Sequence, residues 1–327
     1  MLLPYVLSPS QCSSRRMSQH EWICRDRRAR LLRSLESLLS VEEVLVVPFG
    51  SYVTDTDIAS SDVDVAVLFS DFSKSRSERV DQLAQLLEAS KLFAQIMCNR
   101  AGRFPTIRLL STGLGASVAE CTADLVVHDG HGVVGTWLIE SLLKSAPFAR
   151  TLGKRVKDWA KQVNVSGSAK GNYPSIVFTV FVLGFLQTKN LVPRIQFSPG
   201  SVLGRRVDDA TLIDLVFRGV ELCQLHHWVV VSPTTAPTTI PPFETLYREC
   251  LEFILLIVEG ILVTDVNLTC SVYDSEPAPA VLVRDPVDGR NMAKALGAVA
   301  SGRLLTALHT EVERSYAHAR QAQRQPQ

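Results

Sequence analysis

Asp62 and Asp64 open the apolar run DVDVAVLF. A strand sends alternate side chains to opposite faces, so the two carboxylates share one face while Val63, Val65 and Val67 take the other, towards a core. Two carboxylates ~7 Å apart beside a hydrophobic layer repel one another and require a cation. Hard oxygen ligands of this kind suit Mg²⁺, which keeps waters and is completed by substrate phosphates. Just upstream, Gly50 and Ser51 follow the run EVLVVPF. A glycine lets the backbone approach a ligand closely, and exposed N–H groups with a hydroxyl hold phosphate oxygens. Asp124, near the start of ADLVV, offers a third carboxylate from a neighbouring strand. Three such anions hold two metal ions ~3.5–4 Å apart, clamping the attacking and leaving oxygens of phosphoryl or nucleotidyl displacement. Asp55 and Asp57, in the intervening loop, are expected to be ordinary turn residues.

These residues need a sheet to carry them. From Val44 the chain shows short β-branched runs, VLVVPF, DVDVAVLF, PTIRLL and ADLVV, with one helix predicted over Ser77 to Ile96. Ahead of them, residues 21–40 space Ile23, Leu31, Leu32, Leu35 and Leu38 along one helical face, with Arg25, Arg27, Arg28, Arg30 and Arg33 predicted as a solvated face. After Gly135 helical patterns dominate: Trp137 to Lys144, Leu152 to Val163, Ser175 to Thr188, Leu212 to Leu225, Glu244 to Val263 and Asn291 to His318. The proline- and threonine-rich stretch Val229 to Phe243 reads as a surface connector. The predicted organisation is a flexible or targeting N-terminus over 1–20, an α+β domain over 21–134, a helical domain over 135–320 and a disordered tail over 321–327.

At 327 residues the chain accommodates two modest domains. With 34 basic and 33 acidic residues the net charge of +1 excludes a protein that coats nucleic acid nonspecifically, so any contact with it is local. Seven scattered cysteines without a CxxC fit free thiols in a reducing compartment. The most apolar runs, Ser175 to Leu186 and Phe253 to Val258, are shorter than the ~20 residues that cross a bilayer, so no membrane is expected as a partner. Arg15 and Arg16, with serines and no acid before Glu21, are compatible with an organellar transit peptide and with a frayed terminus. Cys223, His226 and His227 lack a second ligand cluster, which argues against zinc.

FGSYVTDTDIASSDVDVAVL followed by TADLVV resembles the signature of the DNA polymerase β-like nucleotidyltransferase superfamily, in particular noncanonical poly(A) polymerases and trypanosomatid terminal uridylyltransferases. The resemblance spans roughly Val44 to Leu296. It implies a mixed sheet with flanking helices, a mainly helical poly(A)-polymerase-like C-terminal domain, and an active site in a cleft between them. It further implies that Asp62, Asp64 and Asp124 hold two Mg²⁺ ions, with Mn²⁺ able to substitute. Gly50 and Ser51 would hold the β- and γ-phosphates. The family's K-x-W-x-K lysines match Lys157 and Lys161, and its Ser-Tyr matches Asn172 and Tyr173, the tyrosine lying under the base. Its Asn-Ser, which contacts the sugar and triphosphate, falls on Gly135 and Thr136; Thr136 keeps the hydroxyl, while Gly135 has no amide to read a ribose. Arg103 matches an arginine near the phosphates or primer end. Asp285 and Asp288 match the acids that help read the base, where a carboxylate accepts from uracil N3–H and disfavours the adenine N1 acceptor.

The implied activity is template-independent addition of uridylate from UTP to the 3′ hydroxyl of single-stranded RNA. The alternatives are an ATP-preferring poly(A) polymerase and an inactive RNA-binding subunit of the same fold. Protein partners in RNA processing and a mitochondrial location, with the cytoplasm as alternative, follow from the resemblance alone.

Overall fold

The computed structural model describes residues 19–40, 44–101, 104–111, 122–167, 171–198, 201, 203, 207–222, 228–231, 239–259, 268, 283–285, 287, 291–292 and 298–324. Arg103 and Asp288 lie outside the described residues. The chain divides into two compact units, Met1–Trp137 with Val207–Leu225, and Leu138–Arg206 with His226–Gln327.

The first unit is built on a five-stranded mixed sheet, β1 (Val44–Phe49), β2 (Val63–Phe69), β3 (Phe93–Asn99), β4 (Thr106–Ser111) and β5 (Thr122–Val127), in the order β1-β2-β5-β4-β3. Only β2 and β5 run parallel. Alternation sends Val63, Val65 and Val67 into one core with Ile107, Leu109 and Leu125, and this core is closed by leucines of α1 (Gln19–Leu39) and α2 (Arg76–Ser90). The valines therefore face the core, as their spacing predicts.

Three local features depart from the sequence pattern. The helix predicted to run to Ile96 stops at Ser90, where Lys91 adopts a left-handed φ of 55° and its N–H bonds the Glu88 carbonyl. The chain then turns into β3, whose Phe93, Ile96 and Cys98 pack against the core. At its other end α2 starts on a capping box: Ser75 N–H donates to Glu78 Oε2 at 2.7 Å and Glu78 N–H to Ser75 Oγ at 3.3 Å. Second, α3 (Gly130–Ser145) begins seven residues before the predicted Trp137. Its early glycines serve close approach: a Cβ on Gly132 would lie 2.6 Å from the Phe49 ring, and one on Gly130 2.9 Å from Leu212 Cβ. Third, α6 (Asp209–Leu222) belongs with the first unit, although it follows the boundary drawn at 134/135. Asp209 pairs with Arg76 at 2.6 Å and with His131 at 3.3 Å.

The second unit contains α4 (Pro147–Gln162), α5 (Ser175–Thr188), α7 (Phe243–Val258) and α8 (Ala298–Arg324), with a two-stranded ribbon of β6 (Arg194–Phe197) and β7 (Trp228–Val231). The ribbon takes the first residues of the predicted connector. Helix α5, apolar all round, is buried along Val177 to Gln187. Helix α8 starts after Asn291, which bridges to Arg284, and continues to Arg324 into the tail expected to be disordered. Among the described residues no helix is long and apolar enough to cross a membrane. Cys24, Cys98 and Cys250 form no disulfide among the described residues.

His128, at the end of β5, is 3 % exposed with a φ of 58°. Its ring lies edge-on to Phe69, and its Nε2 has no hydrogen-bond partner among the described residues. Burial, reinforced by the charges of Arg76 and Arg79 against that of Asp209, pushes its pKa down to about 4. The folded state thus holds the ring neutral where the unfolded chain, with an ordinary value near 6.5, takes up a proton. Stability is expected to fall as pH drops from about 6.5 towards 4, by up to ~3 kcal/mol. Melting curves across that range should show a flatter acid limb for His128→Asn, a residue that tolerates the left-handed backbone.

Candidate active site

In-register pairing sets Phe49, Asp64, Asp124, Arg108 and Met97 in a single row across all five strands. Residues paired in register project from the same face, so Asp64 and Asp124 stand side by side on neighbouring parallel strands ~4.8 Å apart. Asp62, two residues before Asp64, shares that face and accepts a hydrogen bond from Thr122 Oγ1.

Gly50 closes the row at the β1 end. Its φ is 72°, and a Cβ there would collide with Asp64 Oδ2. The Gly50 N–H donates to Thr136 Oγ1 at 2.8 Å, and that hydroxyl donates to the Gly132 carbonyl at 2.7 Å, so Thr136 tethers the glycine turn to α3. Thr54 N–H to the Gly50 carbonyl and Thr56 N–H to the Ser51 carbonyl, at 3.2 and 3.0 Å, wind residues 50–56 into a compact turn. The Ser51 side chain makes no hydrogen bond among the described residues. Gly50→Ala is expected to cost ~1–2 kcal/mol for the left-handed backbone alone, plus the collision with Asp64. Urea midpoints check this, and adding Asp64→Ala should recover only the collision part.

The loop between Gly50 and Asp62 is pinned by α1, contrary to the solvated arginine face predicted for that helix. Arg25 pairs with Asp55 at 2.6 Å. Arg28, 3 % exposed, pairs with Asp57 and donates to the Ile58 and Ala59 carbonyls, both at 2.8 Å. Asp55 and Asp57 are thus loop anchors, and the cations that hold them lie about 30 residues upstream.

Arg108 is the residue that sequence reasoning missed. Its Nε and Nη2 donate to Asp124 Oδ1 and Oδ2, each at 2.7 Å, and Nη2 also reaches Asp62 Oδ2 at 3.2 Å. The Asp124 hydrogen bonds raise the pKa of this guanidinium above its ordinary value, against a partial cost of burial. The signal was present in PTIRLL, where Ile107 and Leu109 point to the core and strict alternation sends Arg108 to the aspartate face. Among the described residues no three carboxylate, imidazole or thiolate groups are gathered as ligands of one ion. The three aspartates share a face, but a guanidinium bridges two of them.

The other candidates lie in the second unit. Lys157 and Lys161 are one turn apart on α4, the first buried and the second exposed. Asn172 donates from Nδ2 to the Asn164 carbonyl at 3.1 Å, fastening the loop after α4, while its buried Oδ1 has no partner among the described residues. Tyr173 is 1 % exposed, edge-on to Phe178, with its hydroxyl 3.1 Å from Ser301 Oγ. Burial raises its pKa, partly offset by that hydrogen bond. The ring face expected under a base is therefore packed inside the protein here. Asp285 Oδ1 accepts from Val287 N–H at 2.8 Å, the geometry of a turn cap.

Residues 12–143 match the family described as the central palm domain of mitochondrial-like poly(A) RNA polymerase. The structure is similar to that of the Cid1 poly(U) polymerase bound to MgATP, with a TM-score of 0.65 and 17 % identity over 92 % of this chain and 90 % of that one. This is the DNA polymerase β-like nucleotidyltransferase fold. It is shared with terminal uridylyl transferase 4 of Trypanosoma brucei, at a TM-score of 0.59 and 18 % identity over 89 % of this chain and 92 % of that one. In sequence, the chain is 28 % identical over 169 residues to poly(A) RNA polymerase cid11 of Schizosaccharomyces pombe and 27 % over 175 residues to protein HESO1 of Arabidopsis thaliana. Each match covers 50 % of this chain but only 34 % and 33 % of those longer relatives.

On this nucleotidyltransferase fold the donor set fits a hard divalent cation. The acids of the row are hard oxygen donors, Asp64 and Asp124 are adjacent in register, and the absence of a Gly50 side chain makes room for Asp64 Oδ2 beside the glycine turn. Mg²⁺ needs one or two such carboxylates when phosphates and waters complete its shell.

Proposed function

We propose that this chain is a template-independent RNA terminal nucleotidyltransferase that adds uridylate from UTP to a 3′ hydroxyl. The observation that carries this is the in-register pair Asp64–Asp124 with the Gly50 turn pressed against Asp64. Similarity to Cid1 poly(U) polymerase and to terminal uridylyl transferase 4 supports the choice of a nucleotide donor.

Asp62, Asp64 and Asp124 would hold two Mg²⁺ ions, which when bound stabilise charge on the attacking and leaving oxygens. The remaining work belongs to the chain. Asp124 accepts the proton of the RNA 3′ hydroxyl as it attacks the α-phosphate and pyrophosphate leaves. Ser51 offers its hydroxyl to the phosphates. Thr136, whose hydroxyl is committed to Gly50 and Gly132, holds the turn rather than the nucleotide. Lys157 and Lys161 are proposed for the triphosphate on the family resemblance alone. Asp288 is proposed, on the same resemblance, to accept from uracil N3–H, where adenine presents the N1 acceptor.

The test is extension of a labelled oligo(U) primer by purified protein with Mg²⁺ and each nucleoside triphosphate in turn. UTP should be incorporated fastest, and Asp288→Ala should erode its advantage over ATP. Faster incorporation of ATP would make the chain a poly(A) polymerase. RNA binding without extension by any nucleotide would reduce it to an RNA-binding subunit, a role compatible with Gly135.

A further inference from the structure

We propose that Arg108 is a resident counter-cation of the carboxylate row, competing with the divalent ion for Asp124 and so setting how weakly the nucleotide-free protein holds metal. The proposal rests on the metal-dependent function above. Its basis is the guanidinium fork: both Asp124 oxygens are taken at 2.7 Å, and the same Nη2 reaches Asp62 at 3.2 Å. A bidentate Arg–carboxylate pair is among the strongest charge-assisted hydrogen bonds, and its planar fork cannot be matched by lysine. The core face of β4 is filled by Ile107 and Leu109, and Arg108 lies on the aspartate face between them.

Three carboxylates on one face repel in the absence of a cation, and Arg108 offsets that repulsion before any ion arrives. A divalent ion seated on Asp124 would then face a fixed positive charge on the same oxygens, and the two repel. The Arg108 side chain is 42 % exposed, so it can withdraw into water without leaving a buried unpaired charge. An incoming triphosphate carries the negative charge that tips this exchange. Metal is thereby loaded with the nucleotide rather than ahead of it, and Arg108 acts as a positioning residue through Asp124.

The experiment is a Mn²⁺ titration without nucleotide, reading free Mn²⁺ by electron paramagnetic resonance, alongside melting in EDTA. Arg108→Met keeps the length and removes the charge. It is expected to bind Mn²⁺ at least about fivefold tighter than the parent chain, a coupling of ordinary size, and to melt lower in EDTA. Arg108→Lys keeps the charge without the fork and should bind Mn²⁺ with an affinity between those of the parent chain and Arg108→Met. If Arg108→Met fails to fold, Arg108→Gln makes the same neutral comparison. Unchanged or weaker Mn²⁺ binding by the neutral variant would overturn the proposal and leave Arg108 a structural ion pair. In that case, parent protein that still extends RNA leaves the nucleotidyl-transfer function standing. Absence of both Mn²⁺ binding and extension removes the two together.

Discussion

Asp64→Asn is expected to lower the proposed RNA 3′ extension by on the order of 10³-fold or more, the ~4 kcal/mol that a positioned charge at a reacting centre contributes. The same variant melts no lower than the parent chain. Asparagine preserves the shape that Gly50 leaves room for, while removing one of three mutually repelling carboxylates relieves strain in the row. Primer extension with UTP and Mg²⁺, paired with a melting curve, separates the two effects. Full activity in a folded variant would remove Asp64 from the chemistry, and a collapse in melting temperature would make the aspartate structural.

Arg28→Met is expected to produce the largest loss of stability, about 3–5 kcal/mol, because truncating one partner of a buried pair strands the other charge. The pair is 4 % and 7 % exposed, and the same guanidinium satisfies the Ile58 and Ala59 carbonyls at 2.8 Å. For a unit of this size the melting temperature should drop by on the order of 10 °C. Arg28→Met with Asp57→Leu should recover much of that loss, since an apolar pair of similar volume removes the orphaned carboxylate. Denaturant midpoints for both singles and the double close the cycle. Extension activity should fall with Arg28→Met as well, because the loop it pins ends at Asp62.

Strand alternation and motif order are local properties, and both could be read without coordinates. The face shared by Asp62 and Asp64, the core-facing valines, helix α1 and the buried α5 all follow from period and composition. Their order also carried the likeness to the nucleotidyltransferase fold. Where local pattern failed, a distant partner had overruled it. The glycines at 130, 132 and 135 look like helix breakers, yet α3 begins among them, and the first two are glycines because Phe49 and Leu212 leave no room for a Cβ. The arginines of α1 look solvated, yet two of them meet aspartates about 30 residues downstream.

By itself, the sequence determined which residues bring carboxylates to the sheet, that Asp62 and Asp64 share a face opposite the core-facing valines, and that a glycine turn precedes them. Tertiary structure alone decided that Asp64 and Asp124 stand in register, that Thr136 tethers the Gly50 turn, and that Arg108 bridges Asp124 and Asp62. The reason is physical: strand register and ion pairing are settled between segments far apart in the chain, by hydrogen-bond ladders and charge complementarity that no local period encodes.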